Sequence, residues 1–225
     1  MIIKQNLEEI LKTVTKGCTL IAVSKTHPAE KVLEAYQCGQ RVFGENKVQE
    51  LSAKYEALPK DIQWHLIGHL QSNKVKYIAP FVHLIHSIDS LKLLQEVDKQ
   101  GQKNNRVIDC LLQIHIAQEE TKFGFSGDEV KALLKSGSLD TLQHIRIIGL
   151  MGMATFTDNQ EQIRSEFRSL KKLFDELQHM ALPKNMLMQE LSMGMSGDYT
   201  IAMEEGSTMI RVGSAIFGNR NYTKA

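Results

Sequence analysis

The chain has 225 residues, with 27 Lys and Arg against 26 Asp and Glu and a formal net charge of +1; that length suits one large domain or two small ones and is enough to bury a core. A hydrophobic content of 42% and a charged content of 24% exclude a disordered or collagen-like chain, and no apolar run approaches the roughly 20 residues of a membrane span. The balanced charge offers no field for nucleic acid or an anionic membrane, and three scattered cysteines (Cys18, Cys38 and Cys110) without a CxxC pair point to a reducing cytoplasm rather than a disulfide framework.

Residues 1–17 mix charges into their apolar positions, which predicts an amphipathic helix and not a signal peptide. The β-rich run TLIAVS at 19–24 follows. Pro28 then opens a helical pattern that stops at Gly39, the proline-first, glycine-last asymmetry of a helix. The alternation continues with strand-like RVFGE (41–45) and helical 46–58, strand-like IQWHLIG (62–68) and helical 72–81, strand-like HLIHSI (83–88) and helical 90–102. Next come strand-like VIDCLLQIHI (107–116) and helical 127–137, then strand-like IRIIGLMGMAT (145–155) and a long helical stretch at 159–180. Strand-like MLMQELSM (186–193) precedes a short helical 196–206, and 208–218 holds a last strand and the start of a last helix. About eight strand–helix units on short connections predict a parallel sheet. The expected fold class is α/β, a single (β/α)8 TIM-type barrel over residues 1–225 with an extra N-terminal helix; the competing arrangement is an open doubly wound sheet. Continuous apolar runs such as VIDCLLQI suit strands buried on both faces.

In such a barrel, chemistry collects where strands end and βα loops begin. Strand 1 ends in Ser24-Lys25-Thr26, strand 2 in Gly44-Glu45-Asn46, and strand 3 in Gly68-His69. Strand 7 leads into Ser192-Met-Gly-Met-Ser196-Gly-Asp198, and strand 8 into Arg211-Val-Gly213-Ser214. A lysine desolvated at the barrel mouth can condense with an aldehyde; the plainer readings of Lys25 are a solvated loop lysine or a partner of Glu45. The hydroxyls and glycines after strands 7 and 8 have the composition of a phosphate cradle, or of simple turns and an N-cap. The combination of a strand-1 lysine facing a phosphate site is more specific than either part, and suggests pyridoxal 5′-phosphate. His65, His69, His83 and His86 read as core or surface histidines, with His65 a candidate to face the barrel. Met151, Met153, Met193 and Met195 read as core or rim, and Glu119 and Glu120 as a charged loop. No serine–histidine–aspartate order, Walker loop or GxGxxG is present.

These motifs resemble the YggS/PROSC family of pyridoxal-phosphate homeostasis proteins over nearly the whole chain. The marks are AVSKTHP around Lys25, FGENKVQE around Asn46, WHLIGHLQSNK ending at Lys74, IHSIDS, KFGF at Lys122, GLMGMAT, LSMGMSGDY and RVGSAIFG. The resemblance implies an alanine-racemase-type barrel in which Lys25 forms a Schiff base with the cofactor. It implies that Asn46 lies near the cofactor ring and that Arg211 faces the pyridine nitrogen. It also implies that Ser192, Ser196, Gly213 and Ser214 surround the phosphate. A guanidinium only donates and stays charged, so opposite the ring nitrogen it keeps that nitrogen unprotonated and weakens the electron sink. The resemblance implies a carrier or homeostasis factor without an established catalytic reaction, with pyridoxal-dependent apo-enzymes as candidate recipients, and the guanidinium chemistry is compatible with that. The alternative is a small racemase or related enzyme on the same cofactor. None of Tyr36, Tyr55, Tyr77, Tyr199 and Tyr222 is assignable as a second acid–base, although Tyr199 is near the phosphate loop in sequence. The absence of a long apolar heptad favours a monomer, and no metal site is expected.

Overall fold

A computed structural model describes residues 2–118 and 123–218. Lys122 of the KFGF motif, the Glu119–Glu120 pair and Tyr222 lie outside the described residues. Eight parallel strands close into a barrel in sequence order: β1 (Thr19–Val23), β2 (Val42–Glu45), β3 (Gln63–Leu66), β4 (Leu84–Ile88), β5 (Ile108–His115), β6 (Ile145–Met153), β7 (Met186–Met195) and β8 (Met209–Val212). Helix α1 (Ile2–Thr13) precedes them. Between or after the strands run α2 (Ala29–Gln37), α3 (Val48–Ala57), α4 (Val75–Ile78), α5 (Leu91–Lys103), α6 (Gly127–Lys135), α7 (Gln160–Gln178), α8 (Tyr199–Glu204) and α9 (Ser214–Phe217), with a 3-10 turn at Ser72–Lys74 leading into α4. The expected TIM-type (β/α)8 barrel with an N-terminal helix is thus the fold.

Two apolar regions follow from the strand period of two. Residues facing out, such as Ala22, Phe43, Trp64, Ile85 and Val212, are sealed under the helices in one large core. Residues facing in form a smaller cluster of Ile21, Leu84, Leu111, Met151 and Met209 that fills the barrel. The four methionines flagged in the sequence divide accordingly: Met151 and Met193 are buried, while Met153 and Met195 are exposed at the rim. Helix α1 buries Ile3, Leu7 and Ile10, the i, i+4, i+7 stripe of an amphipathic helix. Asn6 Nδ2 donates to the Ile216 carbonyl at 2.9 Å, so α1 is fastened beside α9, outside the closing pair of strands. That pair, β1 and β8, runs in register from Thr19↔Met209 to Ala22↔Val212.

The far side of the sheet is less regular. Register shifts occur between β4 and β5, β5 and β6, β6 and β7, and β7 and β8. Strand β7 also runs two residues past the expected end, through Gly194 to Met195. Gly194 makes this possible: its φ is +93°, and a Cβ there would lie 2.5 Å from that of Ala202, so only glycine lets the strand end press onto α8. The following turn consequently opens toward the barrel mouth.

Candidate functional site

At the C-terminal mouth of the barrel lies a cleft of about 480 Å³, within the usual range for a small ligand. On β1 the inward positions are Ile21, Val23 and Lys25 in turn: Ile21 sits in the barrel interior, and Val23 and Lys25 line the cleft. Asn46 follows β2 in the same phase. The loops after β7 and β8 add Ser196, Gly197, Asp198, Gly213 and Ser214, and Arg211 enters from β8 itself. Lys25, Asn46, Ser196, Arg211, Gly213 and Ser214, from four βα junctions, therefore share one cleft. The two loops also touch each other, because the Gly213 N–H donates to Ser196 Oγ at 3.2 Å. Ser214 opens α9, so its own N–H is among the first-turn groups that a helix leaves without an internal acceptor.

Asn46 is held from the neighbouring strand end. Gly68 packs so tightly on it that a Cβ would lie 2.4 Å from the Asn46 carbonyl oxygen. Glu45, next to Asn46, turns the other way, out of the barrel, where Lys54 Nζ lies 2.5 Å from its Oε1. The expected alternative partner of Lys25 is therefore occupied by another lysine.

Ser192 is placed differently from the other expected phosphate residues. It is fully buried beneath the cleft, inside the barrel. Arg211 Nη1 donates to its Oγ at 2.6 Å, and Arg211 Nη2 donates to the Gly152 carbonyl at 3.0 Å. The same Oγ lies 2.9 Å from His86 Nδ1, and His86 Nε2 lies 3.0 Å from His65 Nδ1. A guanidinium only donates, so Ser192 accepts from it and its own proton goes to His86 Nδ1. His86 then donates through Nε2 to His65, and His65 keeps its proton on Nε2, which is buried with no partner among the described residues. A polar column thus descends from Arg211 into the barrel. Burial lowers His65 to about 3 and His86 well below its ordinary value, so both are neutral. Burial also lowers Arg211, to about 10, with Asp198 opposing, which leaves it charged at neutral pH. One cation is carried by neutral dipoles rather than by a counter-ion pressed against it.

Several contributors were not among the site residues expected from the sequence. Met153, Ala154, Thr155, Phe156, Thr157 and Asp158 line the β6 side of the cleft. That loop is tied to α7 through Glu166, which accepts from the Thr155 N–H at 2.7 Å and from Thr155 Oγ1 at 2.8 Å; an eleven-residue separation matches no local period. Asp198 is the one carboxylate in the β7 loop. It accepts from the Met195 N–H, and burial raises its carboxyl above the ordinary range. Among the described tyrosines none lines the cleft. The Tyr199 hydroxyl meets Thr13 Oγ1 of α1 at 3.1 Å, Tyr36 donates to Asp61, Tyr55 stacks on Phe81, and Tyr77 is exposed. Among the described residues no group of three or more His, Cys, Asp and Glu side chains is arranged to hold a metal ion, and no helix is long and apolar enough to cross a membrane.

The family described as the alanine racemase N-terminal domain matches residues 2–221 of this chain. An alanine racemase from Clostridium difficile superposes with a TM-score of 0.76 at 13% identity, covering 99% of this chain and 58% of that one; this shows the fold. Nearer relatives narrow the class. A pyridoxal phosphate homeostasis protein of Aquifex aeolicus is 42% identical over 97% of this chain and 98% of its own. The PipY protein of Synechococcus elongatus, in a structure with pyridoxal phosphate bound, has a TM-score of 0.85 at 38% identity, covering 96% of this chain and 100% of that one. The chain belongs to the family of pyridoxal phosphate homeostasis proteins.

Proposed function

We propose that residues 1–225 act as a single barrel domain that binds pyridoxal 5′-phosphate through a Schiff base on Lys25 and serves its homeostasis in the cytoplasm, as a monomeric carrier and not a catalyst. The observation that carries this reading is the meeting of Lys25 and Arg211 in one cleft with Ser196, Gly213 and Ser214. Donor chemistry supports the fit. One amine reaches the cleft from β1, a donor-only cation rises from below, and two hydroxyls and a helix-opening N–H gather at one corner. Apolar Val23, Ile67, Met153 and Met195 suit the faces of a ring. The homeostasis names of the relatives and the pyridoxal phosphate seen in PipY favour the same ligand.

The bound cofactor supplies an aldehyde that an amine can capture. Lys25, which reaches the cleft from β1, is the amine that would capture that aldehyde. Arg211, fixed by Ser192 and Gly152, presents donors to the ring nitrogen. Ser196, Gly213 and Ser214 would hold the phosphate, and Asn46 would border the ring. Ser192 supports Arg211 instead of binding phosphate. A charged donor at the ring nitrogen would weaken the cofactor's electron sink, which favours carriage and release to pyridoxal-dependent apo-enzymes over racemisation.

Borohydride reduction of the yellow protein, followed by peptide mapping, tests the site: the label should fall on Lys25, and a label on Lys54 or Lys74 would exclude it. Incubation with single L-amino acids and chiral analysis of the products separates carrier from racemase, since a carrier returns the L-isomers.

A further inference from the structure

The two residues flanking Lys25 are clamped from outside the barrel. Ser24 and Glu45 are outward positions of adjacent strand ends and face α3. Between them and that helix lies Lys54, whose side chain is only 6% exposed, against 0% for Glu45. Lys54 Nζ contacts Glu45 Oε1 at 2.5 Å, donates to the Ser24 carbonyl at 2.8 Å and contacts Glu50 Oε1 at 3.1 Å. Ser24 Oγ donates to Glu45 Oε1 at 2.6 Å, and the Thr26 N–H donates to Glu50 Oε1 at 2.6 Å. Beside the backbone bonds from the Ser24 N–H to the Gly44 carbonyl and from the His27 N–H to the Ser24 carbonyl, both 3.1 Å, Ser24 is thus tied twice and Thr26 once through one buried ammonium and two carboxylates.

Stability alone does not call for this cluster. It sits in a layer otherwise filled by Phe43, Leu51 and Ala22, and a buried ion pair rarely stabilises more than an apolar pair of the same shape. Glu45 Oε2 is buried with no partner among the described residues, so the arrangement even leaves an acceptor unused. What the ions do achieve is backbone geometry. Thr26 has φ +67°, a left-handed conformation that a β-branched residue adopts only when its surroundings impose it. The Glu50 bond to the Thr26 N–H is one such constraint. The turn Ser24–Lys25–Thr26 is therefore set by α3, and with it the direction in which Lys25 leaves β1.

We infer that Glu45, Glu50 and Lys54 are positioning residues that aim the Lys25 amine at the carbonyl carbon of an aldehyde ligand in the cleft. This rests on the function proposed above, since it assigns a cause to the reactivity of Lys25. Because the cluster lies outside the cleft, it governs covalent capture and leaves non-covalent recognition of the phosphate and ring to the other loops.

Pyridoxal 5′-phosphate and 4′-deoxypyridoxine 5′-phosphate, which lacks the aldehyde, separate the two steps. Glu50→Ala removes the acceptor of the Thr26 N–H at a partly exposed position, and Glu45→Gln with Lys54→Met neutralises the buried pair together, so that no lone charge is left inside. In both, the rate of mass addition at Lys25 after borohydride trapping should fall roughly ten- to hundredfold, the scale of a small misplacement of a reacting group, while the dissociation constant of the deoxy analogue stays at the wild-type value. Glu50→Gln keeps an oxygen acceptor and should restore the rate, and exchange of the Thr26 amide should quicken only in Glu50→Ala. Wild-type capture rates in both Glu50→Ala and the double variant would overturn the inference. So would a loss of analogue affinity in step with capture, which would make the cluster a support of the barrel alone. A wild-type protein that binds the analogue yet gains no mass at Lys25 would remove the covalent reading itself, and this inference with it.

Discussion

Ser192 and Ser196 stand four residues apart and face different partners, and their alanine variants should separate cleanly. Ser192 joins Arg211 to His86 inside the barrel, so Ser192→Ala leaves a buried donor and a buried ring nitrogen unpaired. The expected loss is about 1–3 kcal/mol of folding free energy by urea denaturation, with little change in the preference for phosphorylated over unphosphorylated ligand. Ser196 lines the cleft, and the hydrogen bond to a charged phosphate proposed for it would be worth about 1.5–3 kcal/mol. Ser196→Ala should therefore weaken pyridoxal phosphate far more than pyridoxal, and equal losses for the two would reduce Ser196 to a turn residue. The histidines below Ser192 set an acid dependence. Burial lowers His65 to about 3 and His86 well below its ordinary value, so between about pH 3 and 6.5, the unperturbed histidine value, the unfolded chain binds protons that the folded one does not. Stability then falls as pH drops through that window, by up to about 1.4 kcal/mol per pH unit for each histidine. Urea titrations of wild type and His65→Gln from pH 7 to 4 check this, and the variant should show the shallower slope.

Element ends decide how the cleft is shaped. Gly68, after β3, lies against the Asn46 carbonyl after β2, and a methyl group there would force the two strand ends apart. Gly68→Ala should lower ligand affinity by moving Asn46, measurable by titration with the deoxy analogue, and should also lower the melting temperature. The alternation of strands and helices was legible because its punctuation is local: Pro28 and Gly39 bracket α2, and Ser126 caps α6 with Glu129 in reciprocal bonds. The inward lysine was legible for the same reason, as it directly follows an apolar strand. The Arg211–Ser192–His86–His65 column was not. Its members come from β8, β7, β4 and β3, and His86 and Ser192 are 106 positions apart, so no periodicity links them. Nor was the burial of Ser192 beneath the cleft that Ser196 lines, since the pairing of β7 with β8 shifts register between Ser192 and Met195. Glu45, at the end of β2, offered itself in the sequence as a partner for Lys25, and nothing local pointed to Lys54, nine positions on, as its actual partner.

At the scale of the whole molecule, the described tyrosines meet Thr13 of α1, Asp61, Phe81 or solvent, and none lines the cleft. Deuterium wash-in at the α-carbon of a panel of amino acids should accordingly run close to the rate of free cofactor; exchange at enzyme-like turnover would promote the racemase reading. The closing pair of strands has a different consequence. Thr19 of β1 meets Met209 of β8, nearly the full length of the chain apart, and such distant pairings form late because loop closure must precede their reward. The cleft straddles that seam, with Lys25 on one bank and Gly213 and Ser214 on the other. A ligand gripped by both banks works as a clasp: it binds only after the last strand has docked and adds its binding free energy to the closed form alone. A chain still emerging from the ribosome, with β8 unmade, would have Lys25 and Ser196 but not Arg211, Gly213 or Ser214, so full loading with cofactor would follow completion of the ring of strands.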